Sequence, residues 1–196
     1  MKLKRCFGDG DPLMETYHDR EWGFPVHDDH RLFEALVLDG FQAGLSWRTI
    51  LHKRQAFRKA FADFDPHMVA RFSDADRARL MADAGIVRNR MKVDAAIDNA
   101  KGVLQLIEAF GSFDHYMWGF VGYETRRRRR VRTWQQVPAT SPESDALAAD
   151  LRARGFRFVG STICYAFMQG VGMIDDHLSG CFRSRPASAA ARRERD

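Results

Sequence analysis

Two pairs of residues that can bind a metal lie near opposite ends of the sequence: Cys6 with His18, and His177 with Cys181. Two thiolates and two imidazoles are the ligand set of a closed, tetrahedral structural zinc site. On a helix, His177 and Cys181 would lie on one face, because i and i+4 positions are neighbours there. Such a site would fasten the two ends of the chain together. The alternative is four separate core or surface residues, which is the commoner situation for single cysteines and histidines.

A second group of residues suggests contact with phosphate. Residues 80–92, with the sequence LMADAGIVRNRMK, predict two helices joined by a tight turn around Gly85. Glycine permits a positive φ angle and close approach of the backbone, and free N–H groups opening the next helix can hold a phosphate. Arg88, Arg90 and Lys92 would supply positive charge beside this turn. An ordinary turn between helices, with basic residues on its surface, is the alternative interpretation.

Positive charge is concentrated in one further stretch. The net charge is +5, and Arg126 to Arg130 with Arg132 place six arginines within seven residues. Such a stretch favours a polyanion such as nucleic acid, because contact with phosphates releases bound counterions. A solvated loop is the plainer alternative. Residues 183–196 form a second basic segment, rich in alanine, serine and arginine, and are predicted to be a disordered tail.

The composition is that of a folded protein in a reducing compartment. The 196 residues, 45% of them apolar, suffice for one compact domain. No apolar run reaches the roughly 20 residues that a membrane-spanning helix needs, and no apolar signal segment follows the basic amino terminus. Three cysteines cannot all pair with one another. We therefore expect a cytoplasmic protein with reduced thiols, no membrane partner and no requirement for more than a monomer.

Helical signals run through almost the whole chain and predict an all-α fold. Apolar residues recur at helical intervals, and a Ser, Asp or Asn before such a run marks a helix start. The predicted starts are at Asp28 or Asp29, Ser46, Asp65, Ser73, Asn89, Ser141 and Ser161. Gly85 and Gly155 are predicted helix ends. No segment alternates apolar and polar residues for long enough to predict a strand, and residues 122–140 form the long predicted loop.

Five segments, read in chain order, resemble the 3-methyladenine DNA glycosylase I family. They are YHDREWG at residues 17–23, QAGLSW at 42–47, DAGI at 83–86, GFRFVGSTICY at 155–165, and Asp176-His177. The likeness extends from about Cys6 to Phe182. Motifs of this length in this order are specific, so the sequence is identified as a member of that family.

The resemblance implies a helix–hairpin–helix DNA glycosylase fold, with the hairpin at about residues 73–109 of a single two-lobed domain over residues 1–182. It implies a structural zinc ion at positions matching Cys6, His18, His177 and Cys181, joining the amino- and carboxy-terminal segments. The implied reaction is hydrolytic excision of 3-methyladenine from double-stranded alkylated DNA without strand cleavage. No lysine at the hairpin is suited to form a Schiff base, which agrees with hydrolysis by water. The alternative is a DNA-binding protein of this fold in which excision is altered or lost.

The chemistry of this reaction suggests roles for particular residues. An enzyme that acts on a base in duplex DNA must flip the nucleotide out and bind it in a pocket. N3-methylated adenine is cationic and leaves as a neutral base, so a dry, aromatic, electronegative pocket matters more than a strong proton donor. Trp47 would stack on the cationic ring, Tyr17 would hydrogen-bond its edge, and the carboxylate of Asp39 would accept from its amino group. Leu45 is a candidate wedge into the base stack. Core packing is the alternative for Trp47, Tyr17 and Leu45.

Asp39 departs from the family pattern, which usually has glutamate before the glycine at position 40. The missing methylene shortens the reach of the carboxylate by roughly 1.5 Å, which matters for a hydrogen bond that must be shorter than about 3.2 Å. We expect Asp39 to act through a water molecule or in a rearranged pocket. Asp175, where the family tends to have asparagine, adds an acid beside the expected zinc site, and Met91 replaces a common glycine.

Overall fold

The chain is mostly helical in a computed structural model that describes residues 3–128 and 130–184. The helices are α1 (Pro12–Arg20), α2 (Asp29–Gln42), α3 (Trp47–Ala60), α4 (Pro66–Val69), α5 (Asp74–Ala82), α6 (Arg90–Phe110), α7 (Phe113–Gly119), α8 (Pro142–Ala153) and α9 (Ser161–Gly170). Short 3₁₀ turns lie at Ala62–Phe64 and Trp134–Gln136, and two-residue strands at Arg126–Arg127 (β1) and Ile174–Asp175 (β2).

Side-chain caps explain where most of these helices begin. The caps at Asp28, Ser46, Asp65, Ser73, Asn89 and Ser141 each accept a hydrogen bond from a backbone N–H of the first turn. Each bond satisfies a donor that would otherwise be unpaired, and these predicted starts are confirmed. One start moves by a residue, because Ser161 is the first residue of α9 and Gly160 precedes it without a side-chain cap.

One large hydrophobic core holds most of the helices together. The second half of α2, residues 36–41, is buried throughout, and α2 packs against α3, α6, α7 and α9. A second, smaller cluster contains Cys6, Tyr17, Trp22, Leu51 and Cys181. Trp47 packs against both clusters. The start of α3 therefore lies where the two apolar regions meet.

The predicted helical character is confirmed, and a short parallel bridge between β1 and β2 is an addition to it. Arg126 lies opposite Ile174 and Arg127 lies opposite Asp175. The amide N–H of Arg126 donates to the carbonyl of Met173 at 2.8 Å. The bridge fastens the long predicted loop, residues 122–140, to the segment that leads into the carboxy-terminal motif. A strand of two residues is too short to show an alternating pattern, so neither strand is predictable from the sequence.

The turn between α5 and α6 lies at residues 83–89, as predicted, but its glycine serves a different purpose. α5 already ends at Ala82, and Gly85 does not adopt a positive φ angle. Gly85 is needed for space, because a Cβ atom there would lie 2.9 Å from Ala56 Cβ and 2.9 Å from Asp83 Oδ1. Lys53 donates to the carbonyl oxygens of Ala84 and Gly85 at 3.0 and 3.2 Å. The turn is therefore pressed against α3.

The end of the described chain packs on the amino-terminal region. Arg183, predicted to belong to the tail, donates to the backbone carbonyls of His18 at 3.2 Å and Trp22 at 2.6 Å. The folded part thus continues past residue 182, and the remainder of the predicted tail, residues 185–196, lies outside the described residues. Within residues 3–128 and 130–184, no helix is both long and apolar enough to cross a membrane.

Candidate active site and metal centre

Tyr17, Asp39 and Trp47, predicted to act on one base, line a single cavity of about 240 Å³. The cavity lies at the junction of the two apolar regions. Its remaining walls are mainly apolar and are formed by Phe7, Met14, Trp22, Gln42, Trp134, Ala166 and Gln169. An apolar cavity with a few polar groups in its wall is typical of a site for a small ligand.

Three helices bring the predicted residues to this cavity. Tyr17 lies on α1, Asp39 lies in the last turn of α2, and Trp47 is the first residue of α3. In the connection between α2 and α3, Gly44 has a φ of +78°, a conformation that glycine adopts at little cost. This tight turn returns the chain so that Trp47 faces the same cavity as Asp39.

Asp39 has an unusual environment for a carboxyl group. It is 8% exposed and accepts no hydrogen bond from the described part of the chain. Burial raises the pKa of Asp39 to about 8, because loss of solvent disfavours the charged form. Near neutral pH the group is therefore largely protonated in the free protein. A cation brought within hydrogen-bond distance would favour the carboxylate again.

Tyr17 and Trp47 lie side by side in the wall of the cavity, and each carries an aromatic ring and one polar group. Their ring centroids are 5.3 Å apart with an interplanar angle of 44°. Burial, and then the neighbouring charge of Asp39, raise the pKa of Tyr17, so its hydroxyl remains a neutral donor. Trp47 Nε1 is buried and has no hydrogen-bond partner among the described residues. A buried donor without a partner is costly, and a ligand in the cavity can remove that cost.

A second cavity of about 60 Å³ borders the other side of the same three residues. Two bidentate ion pairs line it. Arg54 donates to Glu21 at 2.5 and 2.9 Å, and Arg58 donates to Glu34 at 2.8 and 3.1 Å. These pairs join α3 to the segment after α1 and to α2, so they support the helices that carry the site. Glu21 lies in a recognised motif, but no local pattern identified Arg54 as its partner.

The predicted DNA-contact residues are mostly at the surface. Leu45 is 43% exposed in the turn that leads into Trp47. Arg88 and Arg90 are exposed at the turn and at the start of α6, where Arg90 also pairs with Asp94 at 3.0 Å. These positions are compatible with contact to a large ligand outside the cavity.

Lys92 does not fit the phosphate contact predicted for it. It is 7% exposed, and its Nζ atom donates to the carbonyls of Phe41 at 2.8 Å and Ala43 at 2.5 Å. The side chain therefore satisfies carbonyls at the end of α2, where the helix itself offers no donors. The contact also fixes the start of α6 beside the turn that carries Leu45. Because the acceptors lie far away in the sequence, the local basic pattern could not reveal this role.

Three of the four predicted metal ligands come together. The thiols of Cys6 and Cys181 and the imidazole of His18 are buried, and their ligand atoms all lie within 4.8 Å of one another. His18 Nε2 is 3.3 Å from Cys181 Sγ. The amide N–H groups of Leu178 and Arg183 point at the sulfur atoms of Cys6 and Cys181, at 3.3 and 3.4 Å. Burial raises the pKa of the Cys6 thiol to about 12, and the amide of Leu178 opposes this rise in part, so it is a bound metal ion that would favour the thiolate.

His177, the fourth predicted ligand, borders this cluster. Its ring centroid is 5.6 Å from that of His18, and its Nε2 atom is buried without a partner among the described residues. Gly23 makes room for the ring, since a Cβ atom there would lie 2.8 Å from His177 Cε1. His177 and Cys181 reach the cluster from a turn after β2 rather than from the helix that their spacing suggested.

Carboxylates orient both histidines. His18 Nδ1 lies 2.9 Å from Asp19 Oδ1, and His177 Nδ1 lies 2.9 Å from Asp175 Oδ1. A carboxylate at Nδ1 holds the proton there and makes Nε2 the acceptor atom. The Cys6 amide N–H donates to His18 Nε2 at 3.2 Å, whereas the Nε2 lone pair of His177 has no partner in the described chain. Asp175, which departs from the family pattern, therefore orients a predicted ligand. The donor set and the unpaired Nε2 atom of His177 fit a metal ion that prefers nitrogen and sulfur.

Comparison with known proteins agrees with these features. The family model described as methyladenine glycosylase matches residues 7–184. DNA-3-methyladenine glycosylase 1 of Escherichia coli (strain K12) is 44% identical over 180 residues, which cover 91% of this chain and 96% of the relative. A crystal structure of 3-methyladenine DNA glycosylase I matches with a TM-score of 0.89 at 43% identity, covering 93% of this chain and 100% of that one.

A second structure, of a tyrosine-to-phenylalanine variant of 3-methyladenine DNA glycosylase I in complex with 3-methyladenine, matches with a TM-score of 0.88 at 34% identity. It covers 93% of this chain and 98% of the other. The family model therefore covers every residue that lines the cavity, and each structure covers 93% of the chain. This chain belongs to the methyladenine glycosylase family.

Proposed function

We propose that this protein excises 3-methyladenine from alkylated DNA by hydrolysis and leaves the strand intact. The observation that carries the proposal is the aromatic cavity around Asp39, a buried carboxyl group without a hydrogen-bond partner in the described chain. Such a group is costly in a core but useful beside a cationic base. The proposal is supported by the similar proteins, which are 3-methyladenine DNA glycosylases, one of them solved with that base.

The base would enter the cavity after its nucleotide has flipped out of the duplex. Trp47 would stack on the cationic ring, and Tyr17 would donate its hydroxyl proton to the edge of the base. The positive charge would draw Asp39 into its carboxylate form, which would accept from the exocyclic amino group. Unmodified adenine is neutral and offers no such compensation, so the same residues would favour the methylated base.

Little proton transfer is needed for the bond cleavage itself. The methylated base leaves as a neutral molecule, so the glycosidic bond can break without a strong general acid. Exclusion of water from the aromatic cavity would strengthen the interaction between the cation and Asp39. A water molecule would then complete hydrolysis at the sugar, without a covalent enzyme intermediate.

The elements around the cavity would hold double-stranded DNA. We infer that α5, the turn at residues 83–89 and α6 act as a helix–hairpin–helix, with Gly85 allowing the compact turn and Arg88 and Arg90 near the phosphates. Leu45 would enter the space left by the flipped nucleotide. Lys92 would hold the start of α6 beside the turn that carries Leu45, because it donates to the carbonyls of Phe41 and Ala43. The protein would act as a monomer, in the cytoplasm.

Zinc would have a structural role in this protein. Cys6, His18, His177 and Cys181 would hold it, and the ion would neutralise the buried thiolates and join the two ends of a single domain over residues 1–182. The cluster contributes indirectly to the cavity, because Cys6 precedes Phe7 and His18 follows Tyr17. No step of base excision requires the ion.

The direct test is release of free 3-methyladenine from methylated duplex DNA. The wild-type protein should release the base and leave the strand uncut. Asp39→Glu should retain release, because glutamate is the residue that the family usually has at this position. Trp47→Ala should retain duplex binding and lose release. If the wild-type protein binds the duplex but releases no base above background, excision is wrong, and the alternative of a DNA-binding protein with this fold replaces it.

A further inference from the structure

Trp134 is a pocket residue that none of the motifs contains. It lies in the 3₁₀ turn at Trp134–Gln136, within the long loop that follows the arginine run, and it is 37% exposed. It nevertheless lines the same cavity as Tyr17, Asp39 and Trp47. A partly exposed indole at the wall of a cavity is unexplained by core packing alone.

Hydrogen bonds fix this part of the loop in place. Trp134 Nε1 donates to the carbonyl of Cys6 at 2.8 Å. Ser179 donates its amide N–H to the carbonyl of Val131 at 2.9 Å, and the amide N–H of Arg132 donates to the side chain of Gln136 at 2.9 Å. The indole is therefore held against the amino-terminal segment, and the loop that carries it is also joined to the carboxy-terminal segment.

Of the three indoles that line the cavity, Trp22, Trp47 and Trp134, the last two have different ring neighbours. Trp134 contacts Phe7 and Trp22, with ring centroids 6.2 and 6.0 Å apart, whereas Trp47 contacts Tyr17. Across the described residues, no ring contact joins Trp134 to Trp47, although both border the same space. Both side chains line the cavity, so a ligand inside it can meet both.

We propose that Trp134 is a second base-binding wall, so that the extruded methylated base lies between Trp47 and Trp134. The proposal rests on the proposed excision of 3-methyladenine and names a further residue that determines affinity and selectivity. An indole face attracts a cation as well as stacking on a flat ring, so a second indole favours a methylated, cationic base over a neutral one. The loop with the arginine run thereby contributes directly to the substrate site.

A purely structural role for Trp134 would act through its hydrogen bond to Cys6. Trp134→Phe and Trp134→Leu both lose the N–H donor, but only phenylalanine keeps an aromatic face. The comparison of these two variants therefore isolates the ring from the hydrogen bond. Phe110→Leu is a matched control, because Phe110 is a similarly exposed aromatic residue that does not line this cavity.

The experiment measures binding of free 3-methyladenine by calorimetry and its single-turnover release from methylated duplex DNA. Trp134→Leu should weaken binding and slow release by about tenfold, as expected for the loss of one stacking face, while Trp134→Phe should recover most of both. Phe110→Leu should match the wild type. Metal content and melting temperature, recorded for every variant, report the structural role separately.

Equal losses in the leucine and phenylalanine variants would overturn the proposal, because the hydrogen bond to Cys6 would then be the whole effect. Unchanged binding and release in Trp134→Leu would overturn it as well. Failure of the proposed function is a different result, since the wild-type protein itself would then release no 3-methyladenine.

Discussion

Replacement of Asp39 by asparagine should stabilise the fold at high pH while it removes the carboxylate that we assign to base recognition. The ordinary aspartate pKa of 3.8 rises to about 8 in the folded protein. Each unit of pKa difference corresponds to roughly 1.4 kcal/mol. The charged carboxylate of Asp39 therefore lowers the free energy of unfolding by at most on the order of 5 kcal/mol. Asparagine has nearly the same shape and carries no such cost.

The sign of the effect follows from proton binding. A raised carboxyl pKa means that the folded state keeps a proton that the unfolded state releases, so wild-type stability falls between about pH 4 and about pH 8 and then levels off. The free-energy difference between Asp39→Asn and the wild type should therefore be small at about pH 4 and reach its full value above about pH 8.

Urea unfolding followed by circular dichroism at a series of pH values measures this difference. Asp145→Asn, at an exposed position on α8, is the control that reports the effect of removing a surface carboxylate. A difference for Asp39→Asn that stays constant across the series would refute the reasoning, since burial would then not raise the pKa of Asp39.

Three other predictions concern the parts around the cavity. Removal of bound metal by a chelator should lower the melting temperature by several degrees, and added zinc should restore it. Cys181→Ser should abolish this response to the chelator. A wild-type protein whose melting temperature does not respond to the chelator would contradict the metal site. Gly85→Ala should destabilise the fold by about 1–3 kcal/mol in urea unfolding, because the added Cβ atom crowds Ala56. Gly160→Ala should change stability far less, because a Cβ atom there meets open space. Similar losses of stability at both positions would show that crowding is not the reason for Gly85. Arg126 and Arg127 are exposed, and replacing both by alanine should weaken the salt dependence of duplex DNA binding. The slope of log affinity against log salt should fall by about 0.9 for each lost phosphate contact. An unchanged slope would show that neither arginine contacts a phosphate.

Local signals in the sequence accounted for most of the helices but not for the contacts that shape the site. A cap such as Ser46 or Asn89 acts within one helical turn, so its pattern is readable directly. Lys92 resembles a phosphate ligand when it is read beside Arg88 and Arg90. Its acceptors, at the end of α2, become visible only in three dimensions.

The cavity shows the same limit more strongly. Tyr17 and Trp47 carried no decisive signal by themselves, and their predicted roles came from motifs that resemble a known family. Trp134 lies in a loop with no such motif, yet it lines the cavity because its indole bonds to Cys6 and its loop is joined to Ser179 through Val131. Pairings between distant segments, including β1 with β2, depend on tertiary packing and leave no periodic pattern.

The central claim is that the cavity beside Trp47 receives the methylated base. The most direct test is to measure, by calorimetry, the binding of free 3-methyladenine to the wild type and to Trp47→Leu. The wild type should bind one molecule, and Trp47→Leu should bind at least about tenfold more weakly while it keeps the wild-type melting temperature. Equal affinity in two equally folded proteins would contradict the claim, because the base would then be bound elsewhere.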